Sequence, residues 1–206
     1  MINTTKSQLL LYCFCLFSFS LLGQDISNSQ LKDFNQRAKK QIAVFLANLP
    51  VIAGGDINMA VRKAGTRTTL RIFSSNAYIQ EQSKYSKKKK NWKPKTYFEK
   101  LLARSGKTPI LIDFDIIEDL SPDKIKKKVN RDGSVSYFGK MIFRQYYCKL
   151  KQHKYLKEPN ALNPDVNCAY SDITDKEVKF EIQLRDLPSG KFWVTKIVSI
   201  KVLKVQ

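Results

Sequence analysis

Most residues that enzyme motifs are built from are scarce in this sequence or absent from it. The 206 residues include one histidine, His153, which stands among lysines in a polar segment and is expected to be exposed. Without a second histidine, the chain has no histidine-rich metal site or triad. Glycine-rich phosphate loops, Cys-x-x-Cys pairs and internal repeats are also absent. The sequence therefore predicts no metal and no cofactor, and it carries no unambiguous catalytic signature.

Acidic residues are also few. The chain has 18 Asp and Glu against 37 Lys and Arg, which gives a formal net charge of +19. A charge of this size attracts phosphates, anionic lipids or acidic glycans, but the charge alone does not choose among these partners. A hydrophobic fraction of 43% over 206 residues is enough for the core of one domain.

The apolar run at the N-terminus is short. Lys6 precedes the run Leu9 to Leu22, and the small residue Gly23 follows it. This order is typical of a secretory signal peptide, and a run of 14 residues falls short of the ~20 that span a bilayer. We therefore predict a signal peptide over residues 1–23, cleaved after Gly23, and a single domain over residues 24–206. The mature protein is expected in the periplasm or outside the cell, with no stable membrane span.

The four cysteines fall into two groups. Cys13 and Cys15 lie within the apolar run, so signal removal leaves Cys148 and Cys168. In an exported protein these two would meet an environment in which disulfides persist. They either form a disulfide or remain unpaired in the core, and the sequence leaves both alternatives open.

Helical patterns fill the first part of the mature chain. Ser27 and Gln30 form a capping box before a long amphipathic pattern, and Pro50 is expected to end this helix. Asp56 is expected to cap a second helix. From Gly65 onward the second pattern fits either a helix or a strand, and local propensity does not decide between them.

The rest of the chain alternates between polar connections and strand-like stretches. The central strand carries apolar side chains on both faces, so both faces are expected to need cover. Asp132-Gly133 is a hairpin signal and is expected to join the preceding strand to the central one. The predicted elements are the short strand Asn76–Glu81, the short helix Tyr97–Arg104, and the strands Ile110–Asp119, Ser134–Leu150, Lys176–Leu184 and Phe192–Val205. Their order predicts an α+β domain with helices packed on one curved, mostly antiparallel sheet.

The segment Lys84–Lys95, which we call the basic segment, holds seven lysines around Trp92 and no acidic residue. It is either a solvated loop or an anion-binding loop, in which lysines meet phosphate or sulfate and the tryptophan stacks on a base or sugar. The anion-binding candidates are Lys87, Lys88, Lys89, Lys90, Trp92 and Lys93.

Several stretches carry a family resemblance. They are Leu70–Gln80, Thr96–Leu102, the central FGKMIFRQYY, the Tyr-x-Asp-x-Thr-x-Lys sequence Tyr170–Lys176 with VKFEIQL after it, and the closing FWVTKIVSIKV. The pattern resembles the NTF2-like superfamily, a cone-shaped α+β fold with ketosteroid isomerase and polyketide cyclase relatives, and within it a group of exported bacterial proteins. We interpret the Tyr-x-Asp-x-Thr-x-Lys sequence as a turn and packing motif rather than a site. The resemblance implies a helix that continues through Gly65 to about Phe73.

The resemblance also implies a cone with a mouth, lined by one face of the central strand. Isomerases of this family use a carboxylate base together with a tyrosine and a protonated acid. Neither Asp113 nor Asp115 aligns convincingly with that base, so the chemistry is not carried over. The candidate lining and catalytic residues are Tyr78, Asp113, Asp115, Arg144 and Tyr146.

Three functions follow from these features. The first is a non-catalytic exported domain that binds an unidentified protein or small molecule through its pocket or basic surface, because bulky aromatic residues on the strands favour a filled cone. The second is a small isomerase, cyclase or hydrolase that uses a pocket carboxylate and a tyrosine. The third is binding of a polyanion, either glycan or nucleic acid, through the basic segment. A homodimer formed through the sheet face is also expected to be compatible with this fold.

Overall fold

The computed structural model of the protein describes residues 26–83, 85, 88–103, 110–150, 168–187 and 190–206. The predicted signal peptide, His153 and Lys87 lie outside these ranges. The described helices are α1 (Asn28–Ala53), α2 (Met59–Leu70) and α3 (Pro94–Ala103), and the strands are β1 (Phe73–Glu81), β2 (Lys90–Trp92), β3 (Ile110–Glu118), β4 (Lys126–Val129), β5 (Val135–Leu150), β6 (Cys168–Leu187) and β7 (Gly190–Val205). Over the same ranges, no helix combines the length and the apolar character needed to cross a membrane.

The strands form one sheet in the order β2-β1-β7-β6-β5-β3, and β4 also pairs with β5. Neighbouring strands run antiparallel, except that β1 and β7 are parallel. Helix α1 packs against β3 and β7, and α2 and α3 pack against α1. The predicted α+β class is therefore confirmed, and the arrangement is consistent with an NTF2-like cone whose sheet is not closed.

Helix α1 begins as its sequence predicts and ends later than expected. The Ser27 hydroxyl accepts from the backbone N–H of Gln30 at 3.2 Å, and the Gln30 side chain accepts from the backbone N–H of Ser27 at 3.0 Å. Pro50 does not end the helix, which continues to Ala53. Proline removes one N–H donor, but the Pro50 carbonyl still accepts from Gly54 N at 2.8 Å. Burial of Ile52 in the core holds this last turn in place.

Helix α2 resolves the ambiguity at Gly65. Its N-cap is Asn58 rather than Asp56, because the Asn58 side chain accepts from the backbone N–H of Ala60 at 2.8 Å. The helix continues through Gly65 to Leu70, as the resemblance implied to within a few residues. An added Cβ at Gly65 would lie 3.2 Å from Asn48 Oδ1 on α1, so glycine allows the two helices to approach closely.

The hairpin at Asp132-Gly133 joins a different pair of strands from the one predicted. Gly133 has a positive φ of 79°, which suits a tight turn. The strand before it is the short β4, which pairs with the first residues of β5. Strand β3 pairs with the other end of β5, from Ile142 to Lys149. Strand β6 begins at Cys168, earlier than the Lys176 start that was predicted.

The inner face of the sheet meets the helices and forms the core. Phe143 and Phe180 on this face are fully buried, as is Phe34 on α1. The outer face of β5 carries ion pairs instead of a second layer: Lys140 with Glu177 at 2.9 Å and Arg144 with Asp175 at 2.7 Å. Within the described residues, charged side chains cover the outer face of β5. The homodimer through the sheet face stays a prediction.

Cys148 and Cys168 form a disulfide, with Cα atoms 5.5 Å apart. The bond joins the end of β5 to the start of β6, where the two strands pair. The disulfide alternative is thus confirmed. A disulfide is compatible with an exported protein, while the signal peptide and the location remain predictions.

Candidate functional site

A cavity of about 730 Å³ lies where the core stops short of the end of the sheet. One wall is apolar and comes from α1, α3, β3 and β7. Its residues are Leu49, Ala53, Leu101, Ile110, Ile112 and Val202. The aromatic side chains therefore fill only part of the space between helices and sheet among the described residues, and one face of the central strand helps to line what remains.

The polar wall comes from the inner face of β6. Tyr170, Asp172, Thr174 and Lys176 all line the cavity, because alternate residues of a strand point to the same face. These are the four named positions of the Tyr-x-Asp-x-Thr-x-Lys sequence. They lie within strand β6 rather than in a turn, so the interpretation as a turn motif was wrong. The sequence that was assigned to packing forms the polar side of the cavity.

Lys176 is the innermost polar residue of this wall. The next residues on the same face, Val178 and Phe180, are fully buried. Lys176 Nζ donates to Oε1 of the buried Gln145 on β5 at 2.6 Å. Burial lowers the pKa of Lys176 to about 8, although the negative charges of Asp172 and Glu81 act in the opposite direction. At neutral pH a substantial minority of this amine is therefore unprotonated.

The carboxylate of Asp172 is fixed by neighbours on its own strand. Its Oδ2 accepts from the Tyr170 hydroxyl at 2.6 Å, and its Oδ1 accepts from the Thr174 hydroxyl at 3.3 Å. Tyr147 on β5 packs edge to face against Tyr170, with ring centroids 5.8 Å apart. The cavity thus holds a hydrogen-bonded carboxylate beside two tyrosines.

The mouth of the cavity is more charged than its interior. Lys90 on β2 and Lys149 on β5 line it and are exposed, and Lys88 lies nearby. Glu81 at the end of β1 also lines it and accepts from the indole N–H of Trp92 at 3.1 Å. Among the described lining residues, four lysines face two carboxylates, so the local charge favours an anion.

Four of the five candidate residues from the sequence lie on β3 and β5, with side chains on the opposite face from the cavity. Tyr146 donates to Asp115 at 2.9 Å, and this bond raises the pKa of Tyr146. Arg144 makes two hydrogen bonds to Asp175, at 2.7 and 3.1 Å, and they lower the pKa of Asp175. The exposed Asp113 accepts from the backbone N–H of Phe114 at 2.8 Å. The structure therefore brings Tyr146 and Asp115 together, pairs Arg144 with Asp175, and leaves Asp113 outside both pairs.

Tyr78 is the fifth candidate and also lies away from the cavity. It stands between the buried Ala77 and Ile79 on β1, so its side chain projects from the other face of that strand. None of the five candidates lines the cavity described above. Any role for them in function stays a prediction.

The basic segment is described only in part. Lys88, Lys89, Lys90 and Lys93 are exposed, and Lys89 Nζ donates to the Val202 carbonyl at 2.7 Å. The Trp92 ring is half-buried and lies under the ammonium of Lys100, 4.2 Å from the ring centroid. One face of the indole is therefore occupied by a cation, which leaves less of it to stack on a base or sugar.

Sequence reasoning missed Lys176, Gln145 and Asp172. The signal that could have found Lys176 is the inward register Val178, Phe180, Ile182, because the same period of two places Lys176 on the buried face. An ionisable residue on such a face calls for a functional explanation.

Over the described ranges, no group of three or more His, Cys, Asp or Glu side chains is placed to hold a metal ion.

No family model and no curated protein matches the chain. Among solved structures, the chain is similar to SalBIII, an epoxide hydrolase/cyclase-like enzyme of pyran ring formation in the polyether salinomycin. The two chains are 15% identical, the likeness covers 81% of this chain and 92% of that one, and the TM-score is 0.26. A TM-score this low carries no argument, so the fold and site rest on the geometry above.

Proposed function

We propose that this protein is an exported binding module whose cavity takes a small amphipathic molecule with an anionic group. The observation that carries the proposal is the composition of the cavity wall, which is apolar on one side and carries several lysines at the mouth. The signal peptide predicted over residues 1–23 supplies the exported location.

The apolar wall accounts for affinity. Ligand cavities of a few hundred cubic ångströms are usually lined by apolar side chains with a few convergent polar groups. The wall formed by α1, α3, β3 and β7 fits this description. Burial of about 150 Å² of apolar ligand surface would contribute roughly 4 kcal/mol, which favours a ligand with a hydrocarbon or aromatic body.

The lysines at the mouth of the cavity account for the negative charge of the proposed ligand. Both lining carboxylates already accept hydrogen bonds, Asp172 from Tyr170 and Thr174 and Glu81 from Trp92. Lys90 and Lys149 stand at the mouth, with ammonium groups that an anionic head can reach from solvent. A carboxylate, phosphate or sulfate at the mouth therefore gains charge-assisted hydrogen bonds.

The test compares two ligands with the same chain and opposite charge, octanoate and octylammonium. Isothermal titration calorimetry of the mature protein is expected to detect octanoate and not octylammonium at the same concentrations. The double variant Lys90→Gln, Lys149→Gln is expected to weaken octanoate binding by about two- to fivefold for each charge removed.

The control is the double variant Lys127→Gln, Lys128→Gln, which removes two exposed lysines of β4 at the opposite end of β5. It is expected to leave octanoate affinity unchanged. Equal binding of the two ligands, or an equal loss in both double variants, would show that the mouth does not select an anion.

One observation favours the enzyme alternative as a second candidate. Tyr170 and Asp172 place a tyrosine hydroxyl and a carboxylate 2.6 Å apart inside the cavity, and such a pair can exchange a proton next to a carbonyl group. Deuterium incorporation at the α-carbon of cyclohexanone, followed by NMR, tests this candidate. Exchange that is lost in Asp172→Asn and kept in Lys176→Arg supports it, and a rate equal to that of buffer contradicts it.

A further inference from the structure

We propose that Lys176 is a carbonyl-capturing amine, which forms a reversible imine with an aldehyde or ketone that enters the cavity. This inference shares the cavity with the proposed function and adds a covalent step to it. It requires a small organic molecule to enter, and it does not require that molecule to be anionic.

The position of Lys176 is the first argument. Across the sheet it pairs with Phe143 on β5 and with Val202 on β7, both of which are buried. Its ammonium group stands at the inner end of the cavity, at the boundary between the apolar core and the polar wall. A molecule that follows the apolar wall to the inner end of the cavity therefore reaches Nζ.

The second argument is that Nζ is held in one place. Gln145 Oε1 accepts its hydrogen bond at 2.6 Å and is itself part of a buried side chain on the neighbouring strand. Other lysines of the described cavity, such as Lys90 and Lys149, are exposed at the mouth. A fixed amine reaches attack distance with less loss of side-chain entropy than a mobile one.

The third argument is the protonation state, since only the neutral amine attacks a carbonyl carbon. Burial lowers the pKa of Lys176 to about 8 against an ordinary 10.5. At pH 7 the unprotonated fraction is then about one tenth, against about one part in 3,000 for an ordinary lysine. The charges that act on Nζ are Asp172 from β6 and Glu81 from β1. The further titratable groups that line the same cavity are Lys88, Lys90, Lys149, Tyr97, Tyr147 and Tyr170.

The chemistry balances without a further reagent. The Nζ lone pair forms a C–N bond to the carbonyl carbon, and the C=O π electrons move to oxygen, which takes up a proton. The resulting carbinolamine loses its hydroxyl group as water after a second proton is added to it, and the nitrogen lone pair completes the C=N bond. Nitrogen gives up the two protons that it carried as an amine, and the carboxylates of Asp172 and Glu81 are the nearby groups that can move them. Hydrolysis reverses each step and returns the free carbonyl compound.

The experiment uses reductive trapping of the mature protein with its disulfide intact. The probes are benzaldehyde and 4-carboxybenzaldehyde, each with sodium cyanoborohydride, at a dose that gives less than one adduct per chain. Intact-mass spectrometry counts the adducts, and tandem mass spectrometry after proteolysis locates them. We expect Lys176 to carry the first adduct at pH 7, at a rate at least about tenfold above that of surface lysines. The rate is expected to rise with a midpoint near pH 8, the pKa of Lys176.

Two variants frame the result. Lys176→Arg keeps the positive charge and is expected to abolish the fast adduct, whereas Lys179→Arg, on the outer face of the same strand over the Phe138 ring, is expected to leave it unchanged. A first adduct spread over many lysines of the wild-type chain would overturn the proposal, and this mapping does not depend on whether a variant folds.

The outcomes separate this inference from the proposed function. If octanoate binds but no lysine is preferentially modified, the imine proposal is wrong and the proposed anion-binding function is still supported. A Lys176 adduct with both aldehydes and no octanoate binding would support the imine and overturn selection for an anion.

Discussion

Replacing Lys176 by methionine is expected to stabilise the folded protein at neutral pH. Methionine is unbranched, similar in length and free of charge, so it fits the place of the lysine on the cavity-facing side of β6. The wild-type lysine must keep its proton in a place that disfavours it. The shift in pKa from 10.5 to about 8 corresponds to roughly 3 kcal/mol at about 1.4 kcal/mol per unit. Gln145 Oε1 loses its donor in the variant, which costs about 1 kcal/mol, so the net gain is about 2 kcal/mol.

The sign of the pH dependence follows from linkage. Well below pH 8 the lysine is almost fully protonated in both the folded and the unfolded chain, so nearly the whole penalty is present. Between pH 8 and 10.5 the folded protein loses this proton while the unfolded chain keeps it, and the stability of the wild type rises with pH. The advantage of Lys176→Met should therefore fall by about 2 kcal/mol between pH 7 and 9.5.

Urea unfolding followed by tryptophan fluorescence measures both quantities, with equal m-values as the check on two-state behaviour. Lys179→Met is the matched control, since it removes a lysine from the outer face of the same strand. If Lys176→Met were less stable than the wild type at pH 7, or if its effect were the same at both pH values, the desolvation of Lys176 would be refuted.

Three further predictions concern the rest of the molecule. The double variant Cys148→Ser, Cys168→Ser should lose about 3 kcal/mol in urea unfolding, because the disulfide closes a loop with a sequence separation of 20; reduction of the wild type that left its midpoint unchanged would contradict this. Asp175→Asn should lower the Tm by a few degrees at pH 7 and by less at pH 3, because Arg144 lowers the pKa of Asp175 and its contribution is lost as the pH falls through that lowered value; an equal loss at both pH values would argue against the pair. If the basic segment binds polyanions, the triple variant Lys88→Gln, Lys89→Gln, Lys90→Gln should elute from heparin at lower salt than a control variant. The control carries the same change at the exposed β4 residues Lys126, Lys127 and Lys128. Equal elution of the two variants would show that only net charge matters.

Local patterns predicted the elements well where one signal was strong. The capping box at Ser27 located the start of α1, and the alternation of residues located β5 and β7 to within two residues. The prediction that α1 ends at Pro50 was wrong, because burial of Ile52 in the core stabilises one more helical turn after the proline. Asp132-Gly133 identified a hairpin correctly, yet the partner strand β4 has an exposed, lysine-rich sequence with no apolar face to reveal it.

The candidate site was harder to predict, because the sequence does not say which face of a strand is concave. Asp113, Asp115, Arg144 and Tyr146 share a period of two just as Asp172, Thr174 and Lys176 do. The first set lies on the outer face, where Tyr146 pairs with Asp115 and Arg144 pairs with Asp175, and only the second lines the cavity. The difference depends on where α1 packs, which is a contact between residues far apart in the chain.

The sequence by itself determined the class of the fold and the excess of positive charge. It also narrowed Cys148 and Cys168 to two alternatives, a disulfide or two unpaired core residues. These depend on periodicity, composition and spacing, which are properties of the chain read in order. The tertiary structure alone decided that Lys176 faces a cavity rather than solvent and that Gln145 holds its amine. The physical reason is that the pKa of a lysine depends on the water removed around it, and the elements that enclose this cavity come from distant parts of the chain rather than from neighbours in sequence.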